Sequence, residues 1–354
     1  MSFSIRSLLV AAAATYAALA LSPSAEAQDI VYTQSKKTGN RSTIPPDGMT
    51  AAEVTLDMAG VAKKFPAHEI IKIAFAEDPT ELTAARNLTV DKNYNSAKDQ
   101  LAKLDPAKVE RELIKQDVAF YRAFVEAKLA LTEGGNKGDA ASALFKFFKA
   151  YPNSYHFYEA AEVLGDLAVA TGKYDAAATF YGDTGLGGAP WPEYKLRAGL
   201  LMGRALVLAG KFDDAAKAFE TVSGSGENNP EANALKQHAI VGKAQCLAET
   251  GKPEDGITML NDIVAKNDPQ LDGKLFARAY NALGSCYLKQ SKPKDALMAF
   301  LKTDLLFFTD SDAHAEALSK LATLWDTTGH SDRATDARNK LRDRYSGSIW
   351  ASKP

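Results

Sequence analysis

A ten-residue pattern recurs through the second half of the chain at an almost constant spacing. Each copy opens with Gly or Ser and then places small and large apolar residues at helical intervals. The copies are GKYDAAATFY (172–181), GKFDDAAKAF (210–219), GKPEDGITML (251–260), SKPKDALMAF (291–300) and GHSDRATDAR (329–338). Their starting points lie 38, 41, 40 and 38 residues apart. A fixed period of this size predicts stacked supersecondary units.

Each copy follows a second segment with a helical period, as in AAEVLGDLAVATG (160–172) and AGLLMGRALVLAG (198–210). Apolar residues at i, i+3, i+4 and i+7 indicate an amphipathic helix, and the shared Gly marks a short turn. Each unit is therefore predicted as helix, turn, helix. A single hairpin of this kind cannot bury its apolar surface alone, so neighbouring units must stack.

Small residues recur at equivalent places in the paired helices. A glycine in the first helix is followed twelve residues later by an alanine in the second helix. We expect these small side chains to let the two helices pack closely. The residues assigned this structural role are Gly165, Ala177, Gly203, Ala215, Gly284 and Ala296.

This arrangement resembles the tetratricopeptide repeat family. In that resemblance Tyr174 and Phe212 cover the turn, and Tyr181 and Phe219 are the large residues late in the second helix. The resemblance extends over roughly residues 80–345 and implies an α-solenoid of about seven helix pairs. The period exceeds the usual length of about 34 residues, so longer helices or joints are expected.

The segment 29–76 has a different pattern. It contains short runs rich in β-branched residues, and Gly, Pro and Asn turn formers separate them. This pattern predicts a small antiparallel sheet or barrel. The predicted fold class is therefore mostly α: a tetratricopeptide-like solenoid over residues 79–350 with a small N-terminal antiparallel β domain over residues 28–78.

The first 27 residues have the form of a secretory signal peptide. One cation, Arg6, precedes an apolar run from Leu8 to Leu21, and the sequence Ala-Glu-Ala ends at Ala27. The run is shorter than the roughly 20 residues that span a membrane comfortably. We expect cleavage after Ala27 and a periplasmic or secreted chain with no integral membrane segment; an uncleaved anchor is the alternative. The whole layout is similar to exported bacterial tetratricopeptide proteins with a small N-terminal β module.

The glycine-rich stretch GDTGLGGAP (182–190) raises the alternative of a phosphate-binding loop. A Walker-type loop needs a Lys-Ser or Lys-Thr pair and a preceding strand, whereas this stretch lacks the pair and follows a predicted helix. We interpret it as the joint between the third and fourth units, with Pro190 and Pro192 beginning the next helix. Trp191 is expected to pack over this joint; an exposed anchor for a partner is the alternative.

Residue types that carry chemistry are sparse in this sequence. None of the five histidines pairs with another His, a Cys or an acid at a metal-ligand spacing, and no G-x-S-x-G elbow occurs. We therefore predict no catalytic residue, no cofactor and no metal. The formal net charge of −2 gives no electrostatic case for a nucleic-acid partner. Cys246 and Cys286 are expected as reduced thiols, with a disulfide as the alternative.

The resemblance further implies that the first helices line a concave groove that binds a partner. The groove lacks the Lys–Asn pattern of the family's carboxylate-clamp members, and its fourth to sixth units are cationic and polar. The third unit offers the acids Glu159, Glu162 and Asp166 instead, although all these side chains are equally consistent with solvated helix faces. The implied groove residues are Arg197, Leu200, Arg204, His238, Val241, Gln245, Arg278, Asn281, Ser285 and Lys289.

These observations favour a non-enzymatic scaffold that is exported to the bacterial periplasm. Its expected partner is a protein or peptide of the cell envelope, bound in the concave groove. One alternative is a structural component that self-associates or attaches to cell-wall polymer. The least favoured alternative is a hydrolase that acts on envelope material, because the sequence shows no catalytic constellation.

Overall fold

Strands occupy the N-terminal part of the molecule and helices the remainder. The structure is a computed structural model that describes residues 28–351, so the predicted signal peptide, residues 1–27, lies outside the described residues. The predicted fold class, a mostly α solenoid with a small antiparallel β domain, is confirmed. The strands are β1 (Asp29–Thr33), β2 (Lys36–Ser42), β3 (Glu53–Met58), β4 (Val61–Pro66) and β5 (Ile70–Ala74).

Residues 80–344 form helices that pair into seven units, each with a first and a second helix. Antiparallel pairs follow one another from α1–α2 to α13–α14. Among residues 28–351, no helix is both long enough and apolar enough to cross a bilayer. The helices are α1 (Thr80–Val90), α2 (Tyr94–Lys103), α3 (Glu112–Thr132), α4 (Lys137–Ala150), α5 (Phe157–Ala170), α6 (Tyr174–Tyr181), α7 (Pro192–Leu208), α8 (Phe212–Ser223), α9 (Pro230–Glu249), α10 (Pro253–Lys266), α11 (Gly273–Lys289), α12 (Pro293–Leu306), α13 (Ser311–Thr327) and α14 (Ser331–Arg344).

The five strands form a β module of two antiparallel sheets. One sheet has the order β2-β1-β5 and the other pairs β3 with β4; a bridge between Thr43 and Asp57 joins them. Side chains alternate between buried and partly exposed along β1, as expected when one face of a sheet covers a core. Val31, Leu56 and Ile73 are fully buried and belong to a core shared with the first helices.

The turn within each later unit explains the recurring Gly at the start of the sequence pattern. This Gly adopts φ values of 71–87°, where glycine carries no steric penalty; in the sixth unit Ser291 takes its place with φ 57°. The backbone N–H of the residue after this Gly caps the first helix. For example, Lys173 N donates to Ala168 O at 2.8 Å, which is the Schellman pattern. The glycines concerned are Gly172, Gly210, Gly251 and Gly329.

The small residues of the first helices make room for aromatic rings. A Cβ added to Gly203 would lie 2.5 Å from the ring of Phe219, which belongs to the second helix of the same unit. A Cβ added to Gly242, in the next unit, would lie 2.4 Å from the same ring. Gly165 against Tyr181 and Gly284 against Phe300 repeat this arrangement. The matching alanines of the second helices are fully buried, namely Ala177, Ala215 and Ala296.

An ion pair fastens the β module to the helices. Asp29, in β1, is 1% exposed, and its carboxylate accepts hydrogen bonds from Arg111 Nη1 at 2.5 Å and Nη2 at 2.7 Å. The backbone N–H groups of Ile44 and Ala76 also donate to it, both at 2.8 Å. Because four donors satisfy this carboxylate, its burial is compensated.

The C-terminal segment, residues 345–351, bridges the last unit and the second unit of the helical array. Ser346 Oγ donates to the carbonyl oxygen of Glu133, at the end of α3, at 2.7 Å. The neighbouring Gly347 packs so tightly against the carbonyl of Leu131 that an added Cβ would clash with it. Trp350 Nε1 donates to Asp312 Oδ1 at 3.2 Å. The last unit is therefore connected directly to the second unit.

Candidate functional site

The first helices of the second, third and fourth units present matching stripes to a shared concave space, which we call the inner face. Positions along each stripe are three or four residues apart, so they lie on one side of their helix. Most of these side chains line two adjoining cavities. The stripes are Phe124, Lys128 and Leu131 on α3; Glu159, Glu162, Asp166 and Val169 on α5; and Tyr194, Arg197, Leu201, Arg204 and Leu208 on α7.

The first cavity lies between the β module and these helices, and we call it the aromatic cavity. Its volume is about 440 Å³. Trp191 lines it, with its ring centroid 4.3 Å from that of His68 of the β module, 5.0 Å from Tyr194 and 5.6 Å from Tyr158. Burial raises the pKa of Tyr194 to about 12. Trp191 thus contacts both the β module and the helices at the joint.

A buried histidine supports the wall of the aromatic cavity. His156 is 4% exposed and stacks on Phe120 with centroids 3.6 Å apart. Its ring nitrogens lie 3.5 Å from Asp117 and 3.3 Å from Glu159. Burial lowers the pKa of His156, but the hydrogen bonds and charges of these two carboxylates outweigh burial and raise it. The arrangement is a compensated ion cluster within the wall.

The second cavity lies deeper among the helices, and we call it the arginine cavity. Its volume is about 420 Å³, and α3, α5, α7, α11, α13 and the C-terminal segment all contribute to its wall. Lys128 lines both cavities, so the two adjoin. Arg204 and Arg278 face this space; burial and then the charge of Arg278 lower the pKa of Arg204 to about 9.

Four of the predicted groove residues are buried between helices and do not face the groove. Leu200 and Val241 are 4% exposed and belong to the apolar cores between units. Asn281 is also buried, and its Nδ2 donates to Ala313 O at 2.8 Å; Ser285 is buried on the same helix. These positions contact neighbouring helices because the first helices are covered on both flanks by adjacent units.

Most of the other predicted residues are at least partly accessible, and most of these have intramolecular partners. Arg197 pairs with Glu162 at 2.6 Å and Lys289 pairs with Glu249 at 2.6 Å. His238 Nε2 lies 3.4 Å from Asp272, while Gln245 is partly exposed. The Arg197–Glu162 pair joins the basic fourth unit to the acidic third unit, so part of the expected charge gradient is neutralised within the protein.

Sequence reasoning missed several residues that line the cavities. Lys128, Leu201 and Leu208 follow the helical stripe of the inner face, and their spacing from known stripe positions could have identified them. Arg344, at the end of α14, and Ile349, in the C-terminal segment, also line the arginine cavity. No sequence signal places that segment beside α3, because the contact between Ser346 and Glu133 joins residues 213 positions apart.

The glycine-rich stretch is a joint between helices. It follows α6 and precedes α7, and Leu186–Gly188 form one turn of 3₁₀-helix. Tyr158 Oη donates to Gly188 O at 3.2 Å. Side chains at Gly185 and Gly188 would clash with the backbone of Phe180 and Asp183. Glycine is therefore required here for close backbone packing.

The two cysteines are buried free thiols. Burial raises the pKa of Cys246 to about 12 and that of Cys286 to about 11, so both thiols stay protonated at neutral pH. Among residues 28–351, no cluster of three or more His, Cys, Asp or Glu side chains could hold a metal ion.

Comparison with known proteins agrees with this architecture. Residues 200–270 and 241–303 match the tetratricopeptide repeat model. A tetratricopeptide repeat protein from Parabacteroides merdae ATCC 43184 is 14% identical, with a TM-score of 0.53 over 75% of this chain and 91% of that chain. The apo form of the quorum sensor NprR from B. thuringiensis is 12% identical, with a TM-score of 0.50 over 74% of this chain and 86% of that one.

At such low identity, these two structures support the fold alone. A search of curated proteins found no match. The matched repeats, the seven stacked hairpins and the glycine-capped turns agree with one another. Residues 200–303 match the tetratricopeptide repeat model, and the fold of the described residues is similar to that of a tetratricopeptide repeat protein.

Proposed function

We propose that this chain is a non-enzymatic scaffold that binds a protein or peptide partner on its inner face. The observation that carries the proposal is the pair of adjoining cavities, of about 440 and 420 Å³, along the stripes of α3, α5 and α7. A continuous concave surface of this kind suits an extended segment, because successive side chains of the segment can enter successive cavities.

The two cavities offer different chemistry to such a segment. The aromatic cavity presents Trp191, Tyr194 and Tyr158, which are residue types that anchor partners through large apolar contact areas. The arginine cavity presents cations beside apolar side chains. We infer that apolar anchoring supplies most of the affinity and that the cations orient the segment.

We further propose that the partner belongs to the bacterial cell envelope and that the chain acts in the periplasm or outside the cell. The support for this location is the sequence of residues 1–27, with its apolar run and the Ala-Glu-Ala ending. Fractionation of cells that express the full chain tests it. We expect a product that begins at Gln28 in the periplasmic or secreted fraction; an intact chain in the cytoplasm would contradict the proposal.

Site-specific photo-cross-linking tests the binding surface. A photoreactive phenylalanine analogue at Tyr194 places the probe on the inner face with little change in shape. The matched control places the same analogue at Leu271, which is 87% exposed and lines neither cavity. We expect a discrete cross-linked partner from position 194 that position 271 does not give. Identical products from both positions would contradict inner-face binding.

One observation favours the second candidate function, structural self-association. Met298, Leu305, Leu306 and Phe308, on and just beyond α12, are 51–65% exposed, and an exposed apolar cluster can mark an interface. Light scattering over a concentration series tests this alternative. An increase in particle size with concentration would favour self-association over partner binding. The double variant Leu305→Ser, Leu306→Ser should abolish this increase.

A further inference from the structure

We propose that the aromatic cavity binds an uncharged saccharide ring. This inference goes beyond the proposed function, because it assigns a second class of ligand to one part of the inner face and does not require a peptide partner. The cavity volume of about 440 Å³ lies within the range of about 300–1,000 Å³ that is usual for small-molecule sites. Its wall combines aromatic rings with hydrogen-bonding side chains, and a sugar ring needs both kinds of contact.

The aromatic rings in the wall are inclined to one another. The plane of the Trp191 ring makes angles of 66° with that of Tyr194 and 79° with that of Tyr158. Its angle with the ring of His68 is 48°. These contacts provide no pair of parallel faces that would enclose a flat ligand such as a nucleobase. The C–H groups of a puckered sugar ring need only one aromatic face, because they carry partial positive charge and the face carries partial negative charge.

Three of these rings each carry a polar atom that is available to a ligand. Among residues 28–351, Trp191 Nε1 and Tyr194 Oη form no hydrogen bond, and the buried His68 Nδ1 has no partner either. Polar atoms of buried Tyr and Trp rings usually have a partner. Saccharide hydroxyl groups both donate and accept, so they can pair with all three atoms while the sugar ring packs on the same side chains.

The charged side chains of the cavity have both signs. The two acids are Glu159 and Glu162, and the three bases are Lys92, Lys128 and Arg197. Arg197 and Glu162 already pair at 2.6 Å. A cation or an anion in this cavity would therefore meet like charge as well as opposite charge, and like charges in contact oppose binding. An uncharged ligand avoids this repulsion and still forms hydrogen bonds with both kinds of group.

Donors and acceptors in the wall retain capacity for sugar hydroxyls. A carboxylate has about four acceptor positions; Glu162 uses one oxygen for its ion pair, and Glu159 uses one for His156 Nδ1 at 3.3 Å. In the part of the chain that the structure describes, Lys92 and Lys128 form no ion pair. A hydroxyl group can donate to such a carboxylate and accept from such an ammonium, so neighbouring hydroxyls on one sugar ring suit this wall.

Calorimetric titration with trisaccharides tests the site. The uncharged probes are tri-N-acetylchitotriose, cellotriose and maltotriose. The matched charged probe is chitotriose, which is the first of these without its acetyl groups and carries an ammonium on each ring. We expect at least one uncharged probe to bind with a Kd of about 1 mM or lower and chitotriose to bind about tenfold more weakly than that probe. Absence of binding by every uncharged probe, or tighter binding of chitotriose, would overturn the inference.

Matched variants assign the binding to the cavity. Trp191→Ala removes one ring of the wall and should weaken binding of the preferred probe about tenfold. Tyr194→Phe keeps the ring and removes only the unpaired hydroxyl, so it should weaken binding about threefold. Phe145→Ala removes a ring that is 41% exposed and lies outside the cavity, and binding should not change. Unchanged binding in both cavity variants would overturn the assignment; Tyr194→Phe alone decides it if Trp191→Ala does not fold.

A free oligosaccharide and a long polysaccharide present the same sugar ring to the cavity. Co-sedimentation with the insoluble polymer of the preferred sugar, namely chitin, cellulose or amylose, distinguishes these sources. Pelleting of the wild type, but less of Trp191→Ala, identifies the polymer as a ligand. Pelleting that is equal in both proteins would contradict polymer binding at this cavity and would leave the free oligosaccharide as the ligand.

Photo-cross-linking from position 194 separates this inference from the proposed function. A cross-linked protein partner together with no trisaccharide binding would overturn the saccharide site and leave the scaffold function intact. Trisaccharide binding that Trp191→Ala weakens, together with no cross-linked partner, would support the saccharide site and contradict the scaffold function.

Discussion

The two halves of the molecule are stabilised differently. The N-terminal region, residues 29–167, has one apolar core that runs from the β module through the first helices. The C-terminal region, residues 168–351, has four smaller cores, each formed by helices of neighbouring units. The first region is therefore expected to unfold as a unit, whereas the second is expected to behave as a repeat array whose stability is a sum of nearest-neighbour contacts.

A buried ion network also joins elements of the N-terminal region. Arg86 on α1 is 1% exposed. Its Nε donates to Asp117 at 2.7 Å and its Nη2 donates to Asp78 at 3.0 Å. This network ties α1, α3 and the segment after β5 together. Ion pairs such as Arg197–Glu162 at the start of the C-terminal region are much more exposed.

The largest expected effect comes from breaking this network with Arg86→Met. The change leaves Asp78 and Asp117 buried without their cation, so we expect a loss of about 3–5 kcal/mol in the free energy of unfolding. Denaturant unfolding followed by circular dichroism measures it. The matched control, Arg197→Met, breaks a pair whose arginine is 47% exposed and should cost about 1 kcal/mol or less. Equal losses of unfolding free energy in Arg86→Met and Arg197→Met would contradict the distinction between the buried network and the exposed pair.

The next largest effect tests whether the C-terminal region responds locally. Gly203→Ala places a methyl group 2.5 Å from the ring of Phe219, and overpacking of this kind costs about 1–3 kcal/mol. We expect amide hydrogen exchange to increase in α7 to α10 and to stay unchanged in the N-terminal region. Gly226→Ala serves as the control because no atom lies near the added group. A uniform increase along the chain would show that the two regions unfold together.

A pH-dependent effect is expected where the two regions meet, at Asp166 on α5. Burial, followed by the charge of Glu162, raises the pKa of Asp166 to about 6 from its usual 3.8. Between these values the folded chain binds a proton that the unfolded chain lacks, so stability falls as pH rises through about 6. Relative to Asp166→Asn, the wild type should lose on the order of 1–2 kcal/mol in its free energy of unfolding between pH 4 and pH 7.

Urea unfolding at several pH values measures this difference. Asp175→Asn is the control, because the Asp175 side chain is 93% exposed. The stability of this variant should follow that of the wild type at every pH. If the curves of wild type and Asp166→Asn stay parallel from pH 4 to pH 7, burial does not perturb this carboxyl group.

The smallest expected effect on stability concerns the contact between the C-terminal segment and α3. Gly347→Ala forces the segment away from the carbonyl of Leu131 and breaks the hydrogen bond from Ser346 to Glu133. We expect a loss of about 1 kcal/mol in the free energy of unfolding. We also expect faster tryptic cleavage after Arg344. Ser346→Ala removes only the hydrogen bond and should show less cleavage. Unchanged cleavage in Gly347→Ala would mean that the segment is held by other contacts.

The fold class could be predicted because its determinants are local. The spacing of the copies, the Gly at each turn and the paired Gly and Ala positions all act within one hairpin, and the family resemblance names the same units. Ser291 shows that even the turn conformation persists where Gly is absent. The buried groove candidates Leu200, Val241 and Asn281 show the limit of this reasoning, since their exposure depends on how neighbouring units cover each helix.

The sequence by itself determined the β module, the seven helix pairs and the order in which they stack. Only the tertiary structure decided that Arg204 on α7 and Arg278 on α11 face one cavity, and that Ser346 reaches Glu133. These contacts join residues 74 and 213 positions apart. They depend on the small rotation between successive units, which side-chain packing sets at every interface and which accumulates along the solenoid.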